Sequence, residues 1–479
     1  MQGVIDPTDL ELVRSHLAGL EGSELVERLI ALATRDEGLE LALVTEARAA
    51  AGSFELAELK KQLTAQLRVS SHYLHWRAVR EYAGRIDGVL DVLEALLEGG
   101  HGAEVVLLAE HVMKRLDTAL GRIDDSGGYT QEPVERLNEI HHAACVAARP
   151  DPRKLAVRML ELALKSDWEW FLDAPTRYAD VLGDEGLAAY RRRLEPEWEK
   201  LPPLPPEPSR FHGFHEHGRF RVTHLREQLA RAGGSIDELI AVLAHDRSSS
   251  YQFVRIAGEL ERAGREREAL TWLERGVAAF PPAGDSRLRE RLVAAYLRDG
   301  QPDDAVALVE KAFADEPTAD TYAELRSLVD VEAWPFRRGE ALETLRLARP
   351  PGLYSTRDHA VRAQLAEGDL AGAWGDARAG GCTRQVLLRL ADASRDHDPD
   401  AAVRVYLDGA TRELEHSDVA FYARAVDLLG RARETLAAVG RADELSDEID
   451  RIREEHRRRP RLMAMLDEAG FGERDGRAS

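Results

Sequence analysis

The chain has 479 residues, with 65 Lys+Arg against 86 Asp+Glu, a formal net charge of −21. That balance argues against a protein that coats nucleic acid, because neutralising phosphates needs clustered Lys and Arg. Two cysteines, Cys145 and Cys382, exclude a disulfide framework and any site built on three or more thiolates.

Taken in chain order, the start Met1-Gln-Gly-Val-Ile-Asp has neither a basic nor an apolar leader region, so no secretory signal is expected. No run approaches the ~20 apolar residues that cross a bilayer. A reduced cytoplasm and no membrane partner are expected. Helical periodicity runs almost everywhere, with no alternating strand pattern. Thr8-Asp-Leu-Glu and Ser23-Glu-Leu-Val read as helix N-caps, and Ser53 opens a further helix. From Trp76 to Leu97 the apolar residues fall at spacings of three and four, which predicts one long amphipathic helix. Gly99-Gly-His-Gly102 breaks it, and Ala103–Leu120 returns as the second arm of a hairpin. Helices are predicted over Pro133–Ala148 and Pro152–Lys165. Ser166-Asp-Trp-Glu-Trp-Phe-Leu172 is the richest aromatic stretch: a helix joint filled by large side chains, or an aromatic pocket.

Leu201-Pro-Pro-Leu-Pro-Pro-Glu-Pro208 cannot continue a helix and reads as a stiff spacer between two helical halves, in preference to a Pro-rich recognition motif. The expected organisation is an N-terminal helical-hairpin domain over 1–200, a Pro/His-rich linker over 201–218, a repeat domain over 219–470 and a tail over 471–479. Behind the prolines, His212, His215 and His217 crowd together with Glu216 and His224, a composition that suits zinc or nickel. The stretch also suits a plain linker, and no metal site is assigned. His141 and Cys145 share a helix face but are two ligands at most, which favours a packed core pair. Gly233-Gly-Ser235 reads as a C-cap followed by an N-cap.

The second half repeats. Gly264 and Gly300 lie 36 apart, as do Ala269, Ala305 and Ala341, and Pro281 and Pro317. Gly368 and Gly440 repeat the turn, and Trp334-Pro335 and Asp398-Pro399 mark turns without glycine. The small-residue and terminal-proline pattern is that of tetratricopeptide repeats. Each helix pair is too small to bury its apolar face alone, so neighbours stack. The fold class expected is all-α: an α-solenoid of antiparallel helix pairs in two helical halves.

The sequence also resembles the long helical region downstream of the zinc finger in bacterial SWIM zinc-finger proteins. The resemblance lies in Trp76-Arg-Ala-Val-Arg-Glu-Tyr-Ala, Glu98-Gly-Gly-His-Gly-Ala-Glu-Val-Val, Arg149-Pro-Asp-Pro, Ser166-Asp-Trp-Glu-Trp-Phe and Tyr178-Ala-Asp-Val-Leu-Gly. It continues in Arg219-Phe-Arg-Val-Thr-His-Leu, Asp246-Arg-Ser-Ser-Ser-Tyr and His456-Arg-Arg-Arg-Pro-Arg-Leu-Met. The family's Cys-x-Cys and Cys-x-His ligand pairs do not occur in this sequence, so its zinc does not carry over. The resemblance implies a helical platform, and a setting shared with AAA+ ATPases and von Willebrand A-domain proteins.

No phosphate loop, dinucleotide fingerprint, nucleophile elbow or His-Glu-x-x-His helix occurs. Near the end, Arg457, Arg458, Arg459 and Arg461 concentrate positive charge, either offsetting a helix C-terminus or docking an acidic partner or phosphate. The function expected is a non-enzymatic scaffold or adaptor that binds proteins on the concave solenoid surface, without cofactor. The alternative is a metal- or nucleic-acid-linked regulator of the SWIM type.

Overall fold

The computed structural model describes residues 7–51, 55–69, 73–166, 168–206, 217–281, 285–348 and 357–472. Among them the chain forms 25 α-helices and one 3-10 turn, Ala442–Leu445, and no strand. It divides into two compact units, residues 1–248 and 249–479.

The first unit holds α1 (Pro7–Ala18), α2 (Gly22–Ala33), α3 (Glu37–Ala50), α4 (Leu56–Gln66), α5 (Trp76–Glu98) and α6 (Gly102–Leu120). It continues with α7 (Gln131–Ala148), α8 (Pro152–Lys165), α9 (Ala174–Arg177), α10 (Ala179–Trp198), α11 (His217–Ala232) and α12 (Ile236–Leu243). The predicted helix from Trp76 is α5, and its stripe of Val79, Tyr82, Ile86, Leu90 and Leu93 is wholly buried. The turn falls where the glycines stand: Gly100 takes φ 86°, and His101 N–H closes on the Leu96 carbonyl at 3.0 Å. At Gly102 a side chain would press on the Ala144 backbone, so the absence of one lets α6 lie close on α7. One continuous apolar core runs from Leu59 to Leu229. Two starts differ from expectation, while the Ser53 start is untested: α1 already begins at Pro7, which places Thr8 inside it. The cap of α2 is Glu21, with Ser23 inside the helix, and Ser53 lies outside the described residues.

The proline stretch is not the point of division. Val222, Leu225 and Leu229 of α11 join the core of the first unit, so α11 and α12 pack there. Arg226 of α11 holds Glu195 of α10 at 2.6 Å, and Arg191 of α10 holds Glu238 of α12 at 2.9 Å. Leu204 is stitched to the turn after α12, donating to the His245 carbonyl at 2.8 Å and accepting from Arg247 N–H at 2.9 Å. Extended proline backbone leaves such groups free to bond across a chain. Gly234 takes φ 68°, and the Ser235 hydroxyl accepts Glu238 N–H at 3.2 Å, the expected C-cap followed by N-cap.

The second unit is an α-solenoid of antiparallel pairs. Its helices are α13 (Ser250–Arg262), α14 (Glu266–Ala279), α15 (Ser286–Arg298), α16 (Pro302–Asp315), α17 (Ala319–Leu328), α18 (Trp334–Leu347) and α19 (Asp358–Glu367). Then come α20 (Leu370–Gly380), α21 (Arg384–Ser394), α22 (Pro399–Leu414), α23 (Val419–Ala438), α24 (Ser446–Glu455) and α25 (Pro460–Glu468). From α13 to α23 each helix packs on the next, α25 packs back on α23, and alternate helices touch: α13 on α15, α17 on α19, α19 on α21. The repeat has a visible cause. Gly264 and Gly300 take φ 73° and 75°, and the following N–H bonds back to the Leu260 or Tyr296 carbonyl, the same helix-ending turn each time. Ala269, Ala305, Ala341, Ala373 and Ala402 are all buried where helices cross. A side chain at Gly276 of α14 would meet Phe253 Cβ at 2.9 Å and Leu288 Cδ1 at 3.1 Å, so this position sets how closely α13 and α15 approach it.

Buried carboxylates join successive helices. Glu367 of α19 accepts Tyr322 Oη at 2.9 Å, Trp334 Nε1 at 3.0 Å and Arg338 Nε at 2.6 Å. Asp376 of α20 accepts Arg346 Nε at 2.9 Å and Arg357 Nη1 at 2.7 Å, and bonds Gln364. Glu413 of α22 accepts Arg424 Nε of α23 at 2.8 Å and pairs with Arg384 of α21.

Candidate partner-binding site

Helix α22 shows how a surface arises on this solenoid. Ala402, Tyr406, Ala410 and Leu414 form its buried stripe, and Asp400, Arg404, Asp408, Thr411, Arg412 and Glu415 fall on the exposed face. Glu448 and Arg451 of α24 close the other side, leaving an open groove of about 840 Å³. Three of its charges are spent: Asp400 is held by Arg441 at 2.9 Å, and Glu448 and Arg451 hold each other at 2.5 Å. Arg404, Asp408, Arg412 and Glu415 form no ion pair among the described residues. Exposed charges of both signs, interleaved along one helix face, suit a partner with a complementary pattern.

The four arginines singled out in the sequence differ in what surrounds them. Arg459 donates to the carbonyls of Leu414 at 2.6 Å and His416 at 3.0 Å, so it closes the C-terminus of α22, a different helix from the one it follows. Its guanidinium also lies 5.7 Å from the Tyr422 ring. Arg457 pairs with Glu454 at 2.5 Å and is exposed, as are Arg458 and Arg461.

The first unit buries a polar cluster that sequence spacing only half revealed. His141 and Cys145 of α7 share a face, with Sγ 3.9 Å from the ring nitrogens. Around them stand Tyr178, whose hydroxyl is 2.9 Å from His141 Nδ1, and Glu110 of α6, which is 3.7 Å from Nε2. Glu110 accepts both contacts of Arg158 Nε, at 2.9 and 3.1 Å. Burial pushes the Cys145 thiol up to about 12, the direction opposite to a nucleophile's need. Burial likewise lowers the His141 pKa and holds the ring neutral. Burial would raise Glu110, but hydrogen bonds from His141 and Arg158 outweigh it and leave the carboxyl below its usual range. A legible signal existed: Glu110 falls between Ala109 and Val112 on the buried face of α6, where a lone acid needs partners.

His212, His215 and Glu216 lie outside the described residues, as does the side chain of His217. His224 stacks on Phe220 at 5.7 Å and bonds Gln228. Among the described residues no three His, Cys, Asp or Glu side chains are placed to hold a metal ion, and no helix is long and apolar enough to cross a membrane.

With stacked antiparallel helix pairs and an open charged groove, the chain is an all-α helical-repeat protein. It belongs to the family of unknown function DUF6880, whose profile matches residues 10–330, the first unit and the opening repeats of the second. No curated protein matches the chain. Among solved structures it is similar to a circular tandem repeat protein with novel repeat topology, at 15% identity over 90% of this chain and 94% of that one, with a TM-score of 0.16. It is similar also to yeast Tom70, at 11% identity over 92% and 93%, with a TM-score of 0.19. Scores this low describe no shared superposition.

Proposed function

We propose that this protein is a non-enzymatic helical-repeat scaffold that binds a protein partner in the groove between α22 and α24. The observation that carries the reading is the row of exposed charges Arg404, Asp408, Arg412 and Glu415, unpaired among the described residues, along one wall of that groove. The exposed Phe336 and Val331, each 88% accessible, add apolar contact points on the same unit. The SWIM-type kinship, with an AAA+ ATPase or von Willebrand A-domain protein as partner, belongs to the same proposal. It is supported by the motifs from Trp76 to Met463.

A photo-crosslinking residue at Thr411, in the full chain in its own cell extract, tests the reading. One partner should be captured reproducibly, and the Arg404→Glu/Arg412→Glu double variant should lose it while keeping its helical circular dichroism and melting. No reproducible capture, or capture indifferent to the double reversal, overturns the groove assignment.

A further inference from the structure

Helices α1 and α2 stand apart from the core they precede. That core begins at Leu59 and takes no residue from either helix, and every residue of α1 from Asp9 to Ala18 is exposed. Leu10, Val13 and Leu17 of α1 fall at spacings of three and four and form one stripe, 37–41% exposed. Val26, Leu29 and Ile30 of α2 are 43–54% exposed. Single aliphatic side chains on a surface are ordinary, but six on two successive helices mark a contact face.

The charges beside the stripe say what covers it. Helix α1 carries its acids, Asp9 and Glu11, in its first half and its bases, Arg14 and His16, in its second. None of the four enters an ion pair among the described residues. The helix dipole accounts for Asp9 in the first turn and His16 in the last, but Glu11 and Arg14 lie between those turns. Turned end for end about a point between Leu12 and Val13, the helix sets Glu11 opposite Arg14 and Asp9 opposite His16. An antiparallel copy of α1 thus matches it in apolar stripe and in charge at once. A lipid surface fits less well. Asp9, Glu11, Glu24 and Glu27 outnumber Arg14 and Arg28 on the two helices, whereas helices that lie on membranes are basic.

We propose that α1 and α2 form a self-association face, on which a second copy of this chain packs about a two-fold axis with its α1 antiparallel to the first. The four helices then bury their aliphatic side chains in one small bundle. Sedimentation velocity of the full chain over about 1–100 µM tests this. A monomer–dimer equilibrium is expected. Val13→Asp should abolish it and leave the melting of the first unit unchanged, since α1 adds nothing to that core. Arg14→Glu should weaken the dimer about tenfold, because two pairs are lost and like charges meet in their place, and Glu11→Arg should do the same. The double exchange Glu11→Arg/Arg14→Glu should restore the native affinity, and the two single variants mixed should associate more tightly than either does alone. A chain that stays monomeric throughout, or a dimer indifferent to Val13→Asp, overturns the proposal. So does a dimer that Arg14→Glu weakens and the double exchange fails to restore, since α1 would then meet its copy in another direction or register. Co-sedimentation with phosphatidylglycerol vesicles that Val13→Asp abolishes would assign the face to lipid and overturn it as well.

Discussion

The two units solve the same problem, burying amphipathic helices, in different ways. The first uses long helices, 23 residues in α5 and 19 in α6, around one apolar core that continues from α4 to α11. The second uses helices of 9–20 residues whose core is parcelled, with one cluster around Val361, Trp374 and Leu390 and another from Ala391 to Phe471. A parcelled core gives each joint little apolar area, so direction and register fall to buried carboxylates gripped by arginines of neighbouring helices. Apolar area is non-directional, whereas an Arg–carboxylate pair has fixed geometry. The repeat unit thus carries more charge into its interior than the hairpin unit does.

The largest expected effect is on the continuous core. Leu93 is wholly buried in α5, and Leu93→Ala should cost about 3–4 kcal/mol. Hydrogen exchange read by mass spectrometry should show this loss across α4–α8 together, with α13–α25 unchanged. Loss confined to α5 would mean that the first core is parcelled too.

Much of this division was legible in the sequence. Helix α8 has the bounds Pro152–Lys165 that its caps predict, because Asp151 and Pro152 start it and the aromatic loop ends it. The glycine–alanine period marked the second unit because turn and crossing each demand one residue type. The site of division was hidden: the prolines look like a break, and only the packing of Val222, Leu225 and Leu229 shows which unit owns α11. The carboxylate joints were equally hidden, since 86 acids look alike until a neighbouring helix supplies the arginine. The groove joins residues of α22 and α24, and spacing along one helix carries no record of that.

Next in size are the joints themselves. Asp376 is 3% exposed and holds Arg346, Arg357 and Gln364. Asp376→Ala should cost about 2–3 kcal/mol, below the full value for a buried pair because both arginines are about a third exposed and rehydrate. Acid separates the units further. Hydrogen bonds from Arg346, Gln364 and Arg357 overcome burial and hold the Asp376 carboxyl below its usual range, so its contribution is full above the unfolded carboxylate pKa and is lost as pH falls through the folded one. His141 is lowered by burial, so below about pH 6.5 the unfolded chain takes up a proton that the folded one refuses, and the first unit weakens there. His359 and His456 are lowered by burial in the same direction, but only partly enclosed, so the second unit should respond less between pH 7 and 5. His141→Gln should make the first unit's melting profile shallower over that range, the remaining slope coming from His111 and His245, which burial also lowers, and an unchanged profile would remove His141 from the account.

The smallest effect probes the repeat turn. Gly300 takes φ 75°, and a side chain there meets nothing within 4 Å, so the cost of Gly300→Ala is the left-handed backbone alone, about 1 kcal/mol. Gly300→Asn should cost less, since a short polar side chain tolerates that conformation. Because each repeat rests on its neighbours only, faster exchange should stay within α15–α17. Spread of the effect to α22–α25 would show that the second unit unfolds as one body, and its difference from the first would then lie in its chemistry and not in its cooperativity.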